Sequence, residues 1–242
     1  MSKLFEALVQ AKREKNALGN LTDANPSQFD GAGTQLLETE MLHLYRSLHN
    51  IFPDQHKKVI LFIGVKGGEG TSTIVSNLAR IMANRLSCEV AILDANILHP
   101  TQHRLFGIRP TVGWDDVLRG TAAAENAFYQ VNEDPLWIVP LSPASAGAVQ
   151  VIDTQGIAGF FGVLRERFDL VLIDCAPTTA FPDSIALSRN ADGVVLIIEA
   201  ESTRWPVAEM VYQQITNAGA RVIGIVLNKR RYYIPQFVYE RL

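Results

Sequence analysis

The stretch VILFIGVKGGEGTSTIVSNLARIM, residues 59–82, joins a short apolar run to a glycine-rich turn and then to a helical pattern. The run at 59–63 is continuously apolar, which is typical of a strand buried on both faces of a parallel sheet. After the turn, apolar side chains recur at helical spacing, at Ile74, Val75, Leu78 and Met82. This order of strand, turn and helix predicts the beginning of an α/β domain.

Five more short apolar runs follow, and longer helical patterns separate most of them. The predicted strands are VAILD (90–94), LWIVPL (136–141), LVLID (170–174), VVLII (194–198) and VIGIVLN (222–228). The predicted helices between them are 72–86, 155–167, 182–190 and 203–218. The alternation predicts a doubly wound α/β fold, with a mostly parallel sheet and helices on both faces.

The residues before the first strand have a different character. Residues 3–15 have the spacing of a short helix, and residues 17–35 are rich in Gly, Asn, Asp, Ser and Pro, which predicts a flexible linker. A second helix is predicted at 36–49, with one apolar face made of Leu37, Met41, Leu44 and Leu48. We therefore expect a helical arm and linker at 1–35, followed by the α/β domain at 36–242.

The composition excludes several classes of protein. The chain has 242 residues, of which 48% are hydrophobic and 19% charged, with a net charge of -3. Such values exclude collagen-like and disordered chains, and they give no general reason to expect nucleic-acid binding. The two cysteines, Cys88 and Cys175, form no metal-binding or disulfide pattern. The apolar runs are too short for a membrane helix, and we expect a cytoplasmic protein.

The glycine-rich turn at 64–73 has the sequence and context of a phosphate-binding loop. Glycines let the backbone approach a phosphate closely, and the N–H groups at the beginning of the following helix supply positive potential. The candidate nucleotide-binding residues are Gly67, Gly68, Gly70, Thr71, Ser72 and Thr73. Ser72 is also a candidate Mg²⁺ ligand. The alternative is a glycine-rich turn that binds no ligand.

The loop departs from the usual pattern G-x-x-x-x-G-K-[ST] at two positions. Val65 stands where the first glycine is expected, and Thr71 stands where the lysine is expected. That lysine normally contacts the β- and γ-phosphates, and threonine carries no charge. The variant pattern K-G-G-x-G-K-[ST] matches everywhere except Thr71 and includes an early lysine, Lys66. In proteins with this variant, the early lysine commonly reaches the phosphates of a partner subunit, so Lys66 is a candidate catalytic residue.

Two later strands end in aspartate, at Asp94 and at Asp174. Ligands of open α/β sheets lie at the carboxyl ends of the strands. Two carboxylates there can organise Mg²⁺, and one of them can accept a proton. Asp94 and Asp174 are therefore candidate metal-binding and catalytic residues.

Together these motifs resemble the bacterial tyrosine kinases (BY-kinases) of capsule and exopolysaccharide synthesis, which are relatives of the ParA/MinD ATPases. The matching segments are 1–8, the Walker A′-like 92–100 (ILDANILHP), 103–107 (HRLFG), the Walker B-like 168–177 (FDLVLIDCAP), 191–194 and 226–233. The resemblance extends over nearly the whole chain.

The resemblance implies that 36–242 is a P-loop NTPase-like kinase domain that holds ATP or ADP with Mg²⁺, with Asp94 and Asp174 organising the metal. In the wider superfamily an asparagine at the place of Asn228 often contacts the adenine. The family works with a membrane protein that sets polysaccharide chain length or opens export, and its kinase domains assemble into rings. We therefore expect a homo-oligomer or dimer at the inner membrane, held there by its partner.

Several positions depart from the family pattern, in the loop, the metal site, the assembly motif and the tyrosine tail. They are Thr71, Asn96, Leu98, His99, His43 in the E-x-x-R-x-x-R motif that begins at Glu40, and a tail with only Tyr232, Tyr233 and Tyr239. Together they predict a kinase-like regulator with weak or no kinase activity.

Two alternatives remain at this point. In the first, the chain is an active autokinase or ATPase that uses Lys66 in place of the missing lysine. In the second, it is a positioning ATPase of the ParA/MinD type, which dimerises on ATP and binds DNA or membrane.

Overall fold

The computed structural model describes residues 31–52, 58–145, 154–181 and 184–229. The helices are α1 (Gly31–Ile51), α2 (Thr71–Leu86), α3 (Gln102–Leu105), α4 (Trp114–Leu118), α5 (Thr154–Arg167), α6 (Ser184–Ser188) and α7 (Trp205–Asn217), with a 3-10 turn at Ala124–Ala127. The strands are β1 (Lys58–Gly64), β2 (Val90–Ala95), β3 (Tyr129–Gln130), β4 (Leu136–Val139), β5 (Leu170–Cys175), β6 (Gly193–Glu199) and β7 (Val222–Asn228). The predicted helix at 3–15 and the tail tyrosines lie outside the described residues.

The strands form one seven-stranded sheet in the order β3-β4-β2-β5-β1-β6-β7. All neighbouring pairs are parallel except β3 with β4, which is antiparallel. All six predicted strands are present, and the doubly wound P-loop NTPase fold is confirmed. Because β1 lies between β5 and β6, the glycine-rich turn leaves the middle of the sheet.

Each central strand contributes side chains to both layers of the core. Along β1, Leu61 and Ile63 lie in the layer with α5 and α7, whereas Ile60 and Phe62 lie in the layer with α1 and α2. All four side chains are fully buried. Burying a side chain of this size stabilises a fold by about 1.5–3 kcal/mol, which explains why β1 is apolar at successive positions.

Helix α1 begins at Gly31, five residues before the predicted start at residue 36. The first turn of α1 therefore lies in the stretch 17–35 that we predicted to be linker. The predicted apolar face is confirmed farther along, because Met41 and Leu48 are buried and Leu37 and Leu44 pack at their edge. A glycine-rich composition predicts a linker locally, whereas the structure begins the helix within it.

The structure also contains short elements that no periodic pattern indicates, namely α3, α4 and β3. Helix α4 follows Gly113, where a Cβ atom would collide with the backbone of Leu141 and Ser142. Asp115 of α4 is buried and accepts a hydrogen bond from the Ser142 amide at 2.7 Å. The chain after β4 is thus packed tightly against the beginning of α4.

Within the described ranges, no helix combines the length and the apolar character that crossing a membrane would require.

We expect Gly113→Ala to lower the free energy of unfolding by roughly 2 kcal/mol or more, because the added methyl group overlaps backbone atoms that have no room to move. The control is Gly159→Ala in α5, where an added Cβ meets no atom. Alanine is the better helix former, so this control should stabilise by about 0.5–1 kcal/mol. Urea unfolding measures both changes, and equal effects would contradict the packing argument.

Candidate functional site

The phosphate loop connects β1 to α2 and lies at the carboxyl edge of the sheet. Gly67 and Gly68 are exposed, and a Cβ on either would meet no atom, so this side of the loop is open to a ligand. Gly70 has a φ of 89°, and a Cβ there would collide with the Asn228 amide. The loop therefore requires glycine at residue 70, both for its backbone conformation and for its contact with the end of β7.

The carbonyl groups at the beginning of the loop are fixed by the chain that follows β5. The Thr178 amide donates to the Gly64 carbonyl at 3.1 Å. The Thr179 hydroxyl and amide both donate to the Val65 carbonyl, at 2.8 and 3.2 Å. These contacts join the loop to the strand that carries Asp174, so the two parts of the site have a fixed relative position.

Asp94 and Asp174 lie next to each other at the ends of neighbouring strands, where the β2–β5 register pairs them directly. Both are fully buried. One Asp94 oxygen, Oδ2, accepts hydrogen bonds from the Thr101 and Gln102 amides, each at 2.9 Å. The Gln102 side chain donates to Asp174 Oδ2 at 2.7 Å and to the Ser72 carbonyl at 3.2 Å. Gln102 thus connects both carboxylates to the beginning of α2.

Two carboxyl groups that are buried side by side cannot both be ionised without a large electrostatic cost. Burial, and then the neighbouring Asp174, raise the pKa of Asp94 to about 8. Burial raises the pKa of Asp174 to about 6, although the Gln102 and Ser72 side chains hold that pKa lower than burial alone would. The pair therefore favours a shared proton or a bound cation over two free charges.

The donor set fits Mg²⁺ bound with a phosphate ligand. Asp174 Oδ1 is buried and has no hydrogen-bond partner among the described residues, which is the situation expected of an oxygen that faces a cation. Ser72 is at the beginning of α2, next to this carboxylate. The open loop glycines lie on the side that a phosphate would approach.

The basic residue of the loop, Lys66, is paired within its own chain. Its ammonium group donates to the Ser202 hydroxyl at 2.5 Å and lies 3.5 Å from Glu199 Oε2. Thr71 is partly buried and places no charge at the helix terminus, and Thr73 is exposed. The role of Lys66 toward the phosphates of a partner subunit stays a prediction.

Asn228 is buried beside the loop, and its Nδ2 donates to the Glu69 carbonyl at 2.8 Å. Its Oδ1 has no hydrogen-bond partner within the described ranges. The structure therefore gives Asn228 a loop-holding contact, and the adenine contact stays a prediction.

Two residues of the site were not identified from the sequence, Glu69 and Gln102. Glu69 is 1% exposed, although it lies in a glycine-rich turn where charged residues are usually solvated. Its carboxylate accepts hydrogen bonds from the amides of Val65 and Lys66, at 2.5 and 3.0 Å. One feature of the sequence could have identified Glu69. It is an acidic residue between two glycines of a phosphate loop, where a negative charge is unexpected.

The other reactive side chains do not form a separate site. Burial, with a smaller contribution from the two aspartates, raises the pKa of the Cys175 thiol well above its usual value. A buried thiol with a raised pKa is a poor nucleophile, which indicates a structural role. The described residues contain no group of three or more His, Cys, Asp or Glu side chains that could hold a metal ion.

The predicted assembly motif divides between the core and the surface of α1. Glu40 is 3% exposed, and burial raises its pKa to about 7. His43 and Arg46 are exposed. The two positions that the motif gives to arginine therefore remain accessible on α1.

Known proteins resemble this chain in sequence along most of its length. The tyrosine-protein kinase YwqD of Bacillus subtilis is 26% identical over 178 residues, which cover 74% of this chain and 75% of YwqD. The putative tyrosine-protein kinase CapB of Staphylococcus aureus is 24% identical over 172 residues, covering 71% of this chain and 75% of CapB. The chain is homologous to bacterial tyrosine-protein kinases. A family model described as ParA, NUBPL iron-transfer P-loop NTPase, also matches residues 55–135 of this chain.

Several solved structures share the fold of this chain. The chimerical protein CapA2B2 superposes with a TM-score of 0.74 at 21% identity, covering 92% of this chain and 99% of the chimera. The VpsO kinase domain has a TM-score of 0.67 at 26% identity, covering 84% of this chain and 100% of that domain. The septum site-determining protein MinD of Pyrococcus horikoshii, complexed with Mg-ADP, has a TM-score of 0.61 at 21% identity, covering 76% of each chain.

The stability of the ligand-free protein should fall as the pH rises from about 4 to about 8. An unfolded aspartate has a pKa near 3.8, so over this range the folded pair holds a proton that the unfolded chain has lost. Asp94→Asn keeps an oxygen for the Thr101 and Gln102 amides but removes one charge. It should be more stable than the natural protein by roughly 1–3 kcal/mol at pH 8 and nearly equal at pH 5.

Urea unfolding at both pH values, with a metal chelator present, measures this difference. The control is Glu133→Gln, which changes a charge on an exposed turn and should alter stability little at either pH. A natural protein that is equally stable at pH 5 and pH 8 would contradict the raised pKa values.

Proposed function

We propose that this chain is a nucleotide-binding, BY-kinase-like regulator of exopolysaccharide or capsule synthesis, with weak or no kinase activity. One combination of features carries the proposal. The chain keeps an open phosphate loop beside a buried carboxylate pair with an unpartnered Asp174 oxygen, but it has Thr71 where the loop lysine is expected.

The binding half of the proposal assigns each group a role. The amides from Gly67 to Thr73 would bind the phosphates, and Ser72 with Asp174 would hold Mg²⁺. When bound, Mg²⁺ would neutralise the phosphate oxygens and the carboxylate pair. Asp94 would stay hydrogen-bonded to the Thr101 and Gln102 amides and keep Asp174 oriented through Gln102. The Mg-ADP complex of MinD, which shares the fold, supports this assignment.

The catalytic half concerns charge at the transferred phosphate. Charge develops on the phosphate oxygens in the transition state, and a loop lysine normally stabilises it. Thr71 offers a hydroxyl group only, and Lys66 is paired with Glu199 and Ser202. Either feature alone would slow phosphate transfer, and together they favour a protein that binds nucleotide and transfers phosphate slowly.

The regulatory part of the proposal concerns a membrane partner. The similarity to CapB and to the CapA2B2 chimera supports a membrane partner of the CapA type, which sets polysaccharide chain length or opens export. The chain would act on the cytoplasmic side of the inner membrane through that partner, as a dimer or larger homo-oligomer. Exposed Arg46 and His43 on α1 are available for contacts between copies.

Substituting the missing lysine tests the binding and catalytic halves together. We expect the natural protein to bind Mg-ADP weakly and Thr71→Lys to bind it roughly 10- to 100-fold more tightly, because a charge-assisted contact contributes about 1.5–3 kcal/mol. Thr71→Met is the matched control, since methionine has a similar length without the charge. Titration calorimetry with Mg²⁺ measures all three. Equal affinities for the lysine and methionine variants would contradict a role for charge at residue 71.

Autophosphorylation distinguishes the proposal from the active autokinase that would use Lys66. With radiolabelled ATP, the natural protein should incorporate almost no label, and Thr71→Lys should incorporate more because it restores the loop charge. Strong labelling of the natural protein that disappears when Tyr232, Tyr233 and Tyr239 are all changed to Phe would refute the inactive assignment. Loss of that labelling in Lys66→Ala would identify Lys66 as the substitute.

The second candidate function is a positioning ATPase of the ParA/MinD type. The retained Lys66 and the fold shared with MinD favour it. The kinase-like segments 1–8 and 103–107 count against it. ATP-dependent sedimentation with anionic liposomes or with DNA would favour this candidate over the regulator.

A further inference from the structure

Glu69 is a buried charged side chain in the middle of a loop that is otherwise built to attract anions. It is 1% exposed and lies between Gly68 and Gly70. A buried carboxylate is costly unless fixed donors surround it. The sequence pattern of the loop leaves this position open to any residue, so the choice of glutamate needs a physical explanation.

Both oxygens of Glu69 accept hydrogen bonds, and each oxygen contacts a different part of the chain. Oε2 accepts from the Val65 and Lys66 amides at 2.5 and 3.0 Å, which lie in the loop itself. Oε1 accepts from the Thr203 hydroxyl at 2.5 Å and from the Glu199 amide at 3.3 Å, at the end of β6. The carboxylate therefore bridges the phosphate loop to residues 199–203, which lie about 130 residues later.

The Glu69 carboxylate does not occupy the ligand side of the loop. Gly67 and Gly68 are exposed with open space around them, whereas the Glu69 side chain is enclosed by Gly64 and by residues 199–203. A carboxylate on the inner side can hold the loop backbone without blocking a phosphate on the outer side.

Two further contacts join the same parts of the chain. Asn228 Nδ2 donates to the Glu69 carbonyl, and Lys66 contacts Glu199 and Ser202. Residue 69 is thus held through its backbone by the end of β7 and through its side chain by the end of β6. All of these contacts are made by the phosphate loop, which has no lysine at residue 71 to position a phosphate by its charge.

We propose that Glu69 is a positioning residue of the phosphate loop, whose carboxylate fixes the Val65 and Lys66 amides and joins the loop to residues 199–203, so that the loop is preorganised for nucleotide phosphates. This inference rests on the proposed nucleotide-binding function for its ligand. The bridge itself is a property of the ligand-free chain.

Two substitutions remove parts of the bridge separately. Glu69→Gln keeps the shape but places an amide group against amide donors, and Thr203→Val removes one hydroxyl donor without changing the side-chain shape. Thr203→Ser, which keeps the hydroxyl group, is the control. The readouts are hydrogen exchange of the Val65 and Lys66 amides without nucleotide, and the Kd for Mg-ADP.

We expect exchange at Val65 and Lys66 to rise at least 10-fold in Glu69→Gln and about 3- to 10-fold in Thr203→Val, with Thr203→Ser unchanged. Mg-ADP affinity should fall by similar factors. Amides of β5 should exchange at the natural rate, because a positioning residue acts on the loop rather than on the core.

Two outcomes would overturn the inference: unchanged exchange and affinity in both variants, or exchange that rises equally in β5 and in the loop. If Glu69→Gln fails to fold, Thr203→Val with its serine control still decides. If the natural protein binds no Mg-ADP, the proposed function fails, but the exchange rates still test whether Glu69 orders the loop.

Discussion

The juxtaposition of Asp94 and Asp174 is the constraint on which the rest of the site depends. Parallel pairing of β2 with β5 places the two carboxylates side by side in the interior, where water does not screen their repulsion. The fold accommodates them with donors. The Thr101 and Gln102 amides approach Asp94, and the Gln102 side chain approaches Asp174. The Trp114 indole donates to the Asp94 carbonyl at 2.9 Å, which fixes the end of the strand and the beginning of α4. One buried oxygen of Asp174, Oδ1, has no hydrogen-bond partner within the described ranges, which favours a proton or a cation at this position.

The sequence was sufficient to predict the elements that have a strong periodic pattern. Strand β1 is a continuous apolar run because Leu61 and Phe62 face opposite layers of the core, and both side chains are fully buried. The short helices α3 and α4 were missed because four or five residues give no period, and their positions depend on tertiary contacts such as the one between Asp115 and Ser142. The start of α1 was placed late because the composition of residues 31–35 is typical of a linker, whereas the structure continues the helix through them.

The site was predicted to the extent that it depends on local sequence. The loop glycines and the strand-end aspartates follow from the order of strand, turn and helix, and the structure brings them to one edge of the sheet. Glu69 and Gln102 could not be identified in this way, because each also depends on distant contacts. Gln102 contacts Ser72 and Asp174, 30 and 72 residues away. Glu69 contacts Glu199 and Thr203, 130 and 134 residues away. The sequence was also insufficient to predict the contacts of Lys66. Its position in the loop pattern predicts a phosphate contact, whereas in the structure its ammonium group contacts Glu199 and Ser202.

The balance of charge around the loop bears on how such a protein could respond to nucleotide. Asp94, Asp174, Glu69 and Glu199 bring four carboxyl groups to this edge of the sheet, and Lys66 brings the single ammonium group of the loop. A loop with a lysine at residue 71 would attract phosphate partly by its own charge. Here the backbone amides supply only partial positive charge, and these four carboxyl groups outnumber the one ammonium group of the loop. The proposed nucleotide binding would therefore depend strongly on a divalent cation at the carboxylate pair. Under the proposed function, nucleotide binding and metal binding would be strongly coupled, which suits a protein that senses the Mg²⁺-bound nucleotide more than one that accelerates phosphate transfer.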